Sequence, residues 1–188
     1  MKGLREDYRE RVVNWMGSKL KFLDESGVQL GMSRRYGRAA PGIRVDEGMP
    51  TNYGSNWTVI ASISMDGLQA PWLLEGAMDG TAFEVYIREC LCPVLQPGDI
   101  VIMDNLSSHK QADVRSSIEA RQARVEFLPP YSPDMNPIEM CWSKVKAYLR
   151  KAKARTFDTL LEAVRQALLS VNADDIVAWI HHCGYAVT

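Results

Sequence analysis

Hydrophobic positions in this chain fall into short runs that switch between strand and helix period. Leu20–Glu25 (LKFLDE) reads as an apolar strand carrying an acid, and Ser26-Gly27 reads as the turn that closes it. In Trp57–Met65, Trp57, Val59, Ala61 and Ile63 alternate with Thr58, Ser62 and Ser64, the period of a strand with two unlike faces. Asp66-Gly67 is a two-residue hairpin signal, and Leu68–Leu74 supplies the return strand. Asp99–Asp104 (DIVIMD) is short and almost wholly apolar, the mark of a buried parallel strand. Arg124–Leu128 is a further strand, stopped by Pro129-Pro130.

Helical spacing covers residues 3–16, Thr81–Leu95, Lys110–Ala123, Asn136–Lys151 and Thr156–Val171. The second of these opens on a Thr cap and closes at Pro97-Gly98. In the last, Phe157, Leu160, Leu161, Val164, Leu168 and Val171 fall on one face. Residues 31–56 hold seven glycines and prolines among polar residues and read as a long irregular insertion or a weak hairpin. Insertions of this length inside compact domains are usually functional or mobile. An antiparallel start followed by strand–helix–strand crossovers predicts an α/β fold with a mixed five-stranded sheet and helices on both faces. The strands at 20–25 and 99–104 can then lie side by side, with a site at their carboxyl ends.

Composition narrows the class. The chain has 188 residues, 46% apolar and 24% charged, with a net charge of −1, which is ordinary for one globular domain. Balanced charge excludes a uniformly basic nucleic-acid protein but not a local basic patch. No apolar run is long enough to span a membrane, and the charged N-terminus lacks the apolar stretch of a secretion signal, so a cytoplasmic chain is expected. Cys90, Cys92, Cys141 and Cys183 read as reduced thiols, and His181-His182-Cys183 lacks the second spaced pair of a zinc site. Gly17-Ser18-Lys19 lacks the glycine spacing of a phosphate-binding loop.

Three acids stand out by position. Asp24 ends the first apolar strand, Asp104 ends DIVIMD, and Glu139 sits in the first turn of a helix. A buried acid at a strand end is costly unless paired or bound to a metal. Two strands side by side would bring two carboxylates together, which calls for a cation between them. An all-oxygen set with room for water suits Mg²⁺ or Mn²⁺, and a pair of such ions suits phosphodiester displacement. Each acid also has a plainer reading. Asp24 could start a turn, Asp104-Asn105 could form an Asx turn, and Asn136-Pro137-Ile138-Glu139 has the layout of a capping box.

The strings FLDES (22–26), VIMDNLSSH (101–109) and LPPYSPDMNPIEMCWSKVK (128–146) resemble the catalytic domain of a DDE transposase, of the bacterial insertion-sequence type of the mariner superfamily. Asp104 and Glu139 are separated by 34 residues, the spacing that superfamily favours, and the resemblance runs from about residue 20 to 185. It implies an RNase H-like fold in which Asp24, Asp104 and Glu139 are catalytic and hold two Mg²⁺ or Mn²⁺ ions. It further implies nicking of DNA at transposon ends and attack of a 3′-hydroxyl on target DNA, typically at TA. Residues 1–19 would be a lead-in helix or linker and 20–188 the catalytic domain. The implied partners are DNA, a second copy on paired ends, and an N-terminal helix-turn-helix region that is separate or missing.

Around the acids, His109 fits the D-N-x-x-x-H pattern of that family, and Asn105 and Asn136 are candidate partners for the carboxylates, although Asn136 suits a helix cap better. Lys144, Lys146, Arg150, Lys151, Lys153 and Arg155 place six positive charges in twelve residues with no acid, a candidate DNA face. Arg34, Arg35, Arg38 and Arg44 could form a DNA-contacting arm within the insertion. Trp57, Trp72, Trp142 and Trp179 are expected in the core. Two other functions remain open at this level: a stand-alone RNase H-like nuclease or resolvase, and a non-catalytic protein that binds DNA or a transposase.

Overall fold

The computed structural model describes residues 2–34, 36–46, 48 and 54–187. Its elements run α1 (Lys2–Val12), β1 (Leu20–Gln29), β2 (Asn56–Ser64), β3 (Gly67–Glu75), α2 (Gly80–Tyr86), β4 (Ile100–Met103), α3 (Ala112–Glu119), β5 (Arg124–Phe127), α4 (Ile138–Ala152), α5 (Phe157–Leu169) and α6 (Ala173–His182). The five strands form one mixed sheet in the order β3-β2-β1-β4-β5. β1 and β4 are neighbours and parallel, as the pattern of apolar runs predicts.

The first strand is longer than expected, and the reason lies in its partner. Ser26 and Gly27 do not turn: they pair with Val59 and Thr58 of the antiparallel β2, which carries β1 on to Gln29. On its other edge β1 pairs with β4 only from Leu20 to Phe22. Asp24 therefore lies inside β1 by length but beyond the end of its parallel neighbour. The hairpin is offset by one residue from its signal, with Met65-Asp66 as the loop and Gly67, at φ 116°, opening β3.

Side chains leave the sheet alternately to two cores. One face carries Phe22, Val28, Ala61, Ile63 and Ile102, covered by α1, α4, α5 and α6 through residues such as Tyr8, Trp142, Val164 and Ile180. The other carries Leu23, Ile60, Val101 and Met103, covered by α2 and α3 through Phe83, Tyr86 and Ile118. Helices on both faces of a mixed sheet complete the predicted architecture.

Helix boundaries shift for local reasons. Asp79, not Thr81, caps α2, its side chain accepting from the Ala82 amide at 2.8 Å. Beyond Tyr86 the helix gives way to a wide turn over Ile87–Leu91 and a tight one over Cys92–Val94, where Pro93 has no amide hydrogen to donate. α3 is shorter than its pattern, because Ser107–Lys110 forms a separate 3₁₀ turn. α5 turns Leu160, Ala163, Val164 and Ala167 to the core, leaving Phe157 and Leu161 at 41% and 46% exposure. Leu168 and Val171 pack on the same core, and Phe157 stacks on Trp57 with ring centroids 4.5 Å apart. α6 has no counterpart in the sequence reading; Asn172 caps it reciprocally with Asp175.

No regular element forms among the described residues of 32–54. The start of that insertion is fastened by Arg155, whose guanidinium donates to the Leu30 and Met32 carbonyls and to Ser33 Oγ. At the amino end of the sheet Lys21, 1% exposed, donates to Gln69 Oε1 at 2.8 Å and lies 3.6 Å from both Asp66 and Asp99.

Asp99→Ala leaves that buried ammonium without its buried partner, an expected loss of about 3–5 kcal/mol. The corresponding fall in Tm, read by thermal unfolding, is roughly 6–20 °C. The double replacement Lys21→Met/Asp99→Leu is expected to recover most of it, because no charge then stays buried.

Candidate active site

Register places the first two acids. Phe22 and Ile102 form the last pair between β1 and β4, and Asp24 and Asp104 each lie two residues further on. Asp24, in phase with Phe22, therefore leaves the sheet on the side facing α4, and Asp104 stands one residue past the end of β4. Glu139 joins them from the first turn of α4. All three line one pocket of about 400 Å³, together with Asn105, Leu106, Asn136 and the loop from Leu128 to Pro133.

The pocket is electrostatically unbalanced. Burial, then the charges of Glu139, Glu25 and Asp104, push the Asp24 carboxyl up to about 8. Asp104 behaves oppositely: burial opposes its ionisation, but His109 and the Leu106 amide hold it below the usual carboxylate range. The Leu106 amide donates to Asp104 Oδ1 at 3.1 Å, so the Asx turn is present as well as the site. Among the described residues, no three His, Cys, Asp or Glu side chains stand close enough to hold an ion as a group. Carboxylates with no cation between them are expected to stay apart.

His109 is 1% exposed and stacks on Phe83, ring centroids 4.2 Å apart. Its Nδ1 lies 2.7 Å from Asp104 Oδ1 and its Nε2 3.3 Å from Glu25 Oε2. Both are ion-pair contacts rather than aligned hydrogen bonds. Burial alone would lower its pKa, but the two carboxylates outweigh this and raise it to about 9. Glu25, read from the sequence only as part of the first strand, thus joins the site. Strand alternation was the available signal, since it sends Glu25 to the face opposite Asp24.

Asn136 is not the helix cap. Pro137 occupies that position, no side chain caps the helix, and the Glu139 amide donates to the Asn136 backbone carbonyl at 3.1 Å. The capping box does not form, and the Asn136 side chain is 3% exposed with its Oδ1 unpartnered. Asn105 sits on the pocket wall, partly exposed.

The cationic residues divide. Lys144 forms a close ion pair with Asp175 of α6, and Arg155 is bound to the insertion, so both belong to the scaffold. Lys146 and Arg150 line a second groove of about 810 Å³ with Gly27, Asn56, Trp57 and Glu75. Arg150 also shares a cleft with Arg34 and Tyr36, and Arg38 lies beside them. Lys151 and Lys153 are exposed at the end of α4, and Arg44 pairs with Asp46 at 3.2 Å. Arg35 lies outside the described residues. No helix among the described residues is long and apolar enough to cross a membrane.

Known proteins share the fold and the family. Solved structures share the fold: the Mos1 transposase paired-end complex with left transposon end superposes with a TM-score of 0.75 at 17% identity, over 97% of this chain and 57% of that one. The Mos1 mariner paired-end complex with Mn gives 0.72 at 18% identity, over 97% and 57%. The catalytic domain of Mos1 mariner transposase gives 0.70 at 14% identity, over 97% and 85%. The chain thus spans little more than half the length of the transposase in its DNA complexes and most of the catalytic domain. No curated protein matches the sequence. The model of the DDE superfamily endonuclease family matches residues 19–161, well over half of the chain and all three acids, and the protein belongs to that family.

Proposed function

We propose that this chain is the catalytic domain of a metal-dependent DNA transposase of the mariner type, in which Asp24, Asp104 and Glu139 hold two Mg²⁺ or Mn²⁺ ions. The observation that carries the reading is their convergence, from β1, the end of β4 and the start of α4, on one pocket. The donor set fits such ions: every candidate ligand offers oxygen, and Asp24 is a desolvated carboxyl whose ionised form lacks a counter-charge. Bound there, the ions would activate an attacking oxygen and stabilise a leaving one. Asp104 is ionised and oriented by His109 and the Leu106 amide. Asn136 brings an amide oxygen to the same wall, and Asn105 lies beside Asp104.

The substrate on this reading is a DNA phosphodiester, cut by hydrolysis at transposon ends and joined by a 3′-hydroxyl to target DNA at TA sites. Lys146 and Arg150, with Lys151, Lys153, Arg34 and Arg38, form the phosphate-contacting face. End recognition belongs to a helix-turn-helix region outside residues 1–188, the working form is a dimer on paired ends, and the setting is the bacterial cytoplasm. Residues 20–188 are taken as the catalytic unit, with 1–19 leading into it.

Asp24→Asn, Asp104→Asn and Glu139→Gln are each expected to reduce Mn²⁺-dependent DNA cleavage about 10³-fold or more while keeping the wild-type circular dichroism spectrum. Wild-type cleavage by Glu139→Gln would remove that residue from the ligand set.

Stability gives an independent test of Asp24. Its folded pKa of about 8 exceeds the ordinary 3.8, so the native state holds an extra proton between those values. Metal-free stability must then fall as the pH rises through that window. His109, raised from 6.5 to about 9, adds the same sign only above pH 6.5. Between pH 5 and 6.5 the slope is expected to vanish in Asp24→Asn. At pH 7 Asp24→Asn should also melt higher than wild type without metal, by roughly 2–4 °C for each kcal/mol of relieved repulsion, and should gain nothing from Mn²⁺. Thermal melts with and without Mn²⁺ read both effects.

Lys146→Ala/Arg150→Ala is expected to weaken binding to all DNA sequences alike and to flatten the plot of log K against log salt by roughly 0.9 per lost contact. Fluorescence anisotropy across a salt series measures this.

A further inference from the structure

Tyr131 stands on the rim of the carboxylate pocket with 88% of its surface exposed and its backbone at φ 55°. A bulky residue in that left-handed region is strained. Three other described non-glycine residues share the sign of φ, and each has a local reason. Lys153 caps α4, Gln122 lies in the turn after α3, and Ala70 faces the register shift between β2 and β3. Tyr131 is the second corner of the Pro130-Tyr131 turn, a position where positive φ is required and glycine is the usual residue.

The surrounding loop holds the strain from outside. Pro129, Pro130 and Pro133 stiffen it, and Ser132 is 4% exposed beneath it. Arg5 of α1 donates to Ser132 Oγ at 3.0 Å, Ser132 Oγ donates to the Pro130 carbonyl at 3.3 Å, and Arg5 also grips the Asp134 carboxylate. None of these contacts involves the tyrosine ring, which is held in water. Leu106, on the wall of the same pocket, is likewise 48% exposed. The pocket thus has carboxylates inside and apolar groups at its rim.

A flat ring left exposed on a braced loop beside a phosphodiester site offers a face for another flat ring. We propose that Tyr131 is a nucleobase platform: with a phosphodiester against Asp24, Asp104 and Glu139, the adjoining base leaves its own stack and lies on the Tyr131 ring. Stacking of this kind tolerates any base, because every base has a π-face. The proposal rests on the DNA-processing reading and adds to it the residue that receives the base.

The test uses a DNA duplex with a short single-stranded extension carrying 2-aminopurine, added to the full chain in Ca²⁺. Stacking quenches the probe. Wild type and Tyr131→Phe are expected to quench it equally. Tyr131→Leu is expected to lose the quenching and bind about tenfold more weakly, with Mn²⁺ affinity and Tm unchanged. Tyr131→Gly should also lose the quenching yet melt at least as high as wild type, by roughly 2 °C more, since glycine accepts positive φ. Undiminished quenching with bound DNA in Tyr131→Leu would overturn the proposal. So would a change in oligomeric state in that variant with quenching intact, which would make the ring a subunit contact. Absence of all DNA binding together with absence of Mn²⁺ binding would instead fail the DNA-processing reading, and this proposal with it.

Discussion

Parallel pairing between β1 and β4 stops at Phe22 and Ile102, while antiparallel pairing on the other edge carries β1 on to Gln29. That inequality makes the pocket. Had β4 run as far as β2 does, its backbone would fill the space beside Asp24. Because it ends at Met103, the chain leaves the sheet at Asp104, and a gap opens between the strands and the first turn of α4. Asp24 keeps the rigidity of a strand held from β2 while its side chain faces that gap. A side chain fixed within a strand is positioned more tightly than one on a loop, and the two other acids are brought to it from element ends.

The gap concentrates negative charge, and the fold answers on the two faces of the sheet by different means. Behind Asp104, His109 lies between Asp104 and Glu25 and is braced by Phe83, so that carboxylate has a counter-charge up to about pH 9. In front, Asp24 has none, and burial beside Glu139 keeps its carboxyl protonated to about pH 8. One acid is therefore ready in its ionised form and the other surrenders its proton only to a cation. Such asymmetry suits a site assembled by its metal.

Much of this was legible from residues alone. Sheet composition, the adjacency of β1 and β4 and the candidate acids follow from apolar runs, breakers and the position of each acid in its element. What escaped depended on partners distant in sequence. Ser26-Gly27 reads locally as a turn and becomes strand because Val59 and Thr58 lie opposite. Asn136 reads as a cap, but the backbone of the Pro137 turn already satisfies the Glu139 amide and releases the side chain. Lys144 reads locally as an unpaired cation, and α6 supplies it Asp175. Glu25 was hidden by the acid before it, although alternation along β1 separates the two. In each case local chemistry allowed two outcomes and a tertiary neighbour chose.

The Tyr131–Glu139 string shows how one motif is divided between duties. Ser132, Asp134 and Met135 face the scaffold: the first two meet Arg5 of α1, and the Met135 carbonyl accepts from Tyr185 Oη at 2.7 Å. Tyr185, committed to that bond, accepts in turn from Tyr8 of α1. The loop is thus clamped by residues 5 and 8 on one side and 185 on the other, far outside the motif in sequence. Tyr131, Asn136 and Glu139 carry no such ties and line the pocket. α1 is then more than a lead to the first strand. It packs Tyr8 and Val12 into the core and presents Arg5 to the loop, so any displacement of α1 must loosen the wall that carries Tyr131 before it reaches Asp24 or Asp104.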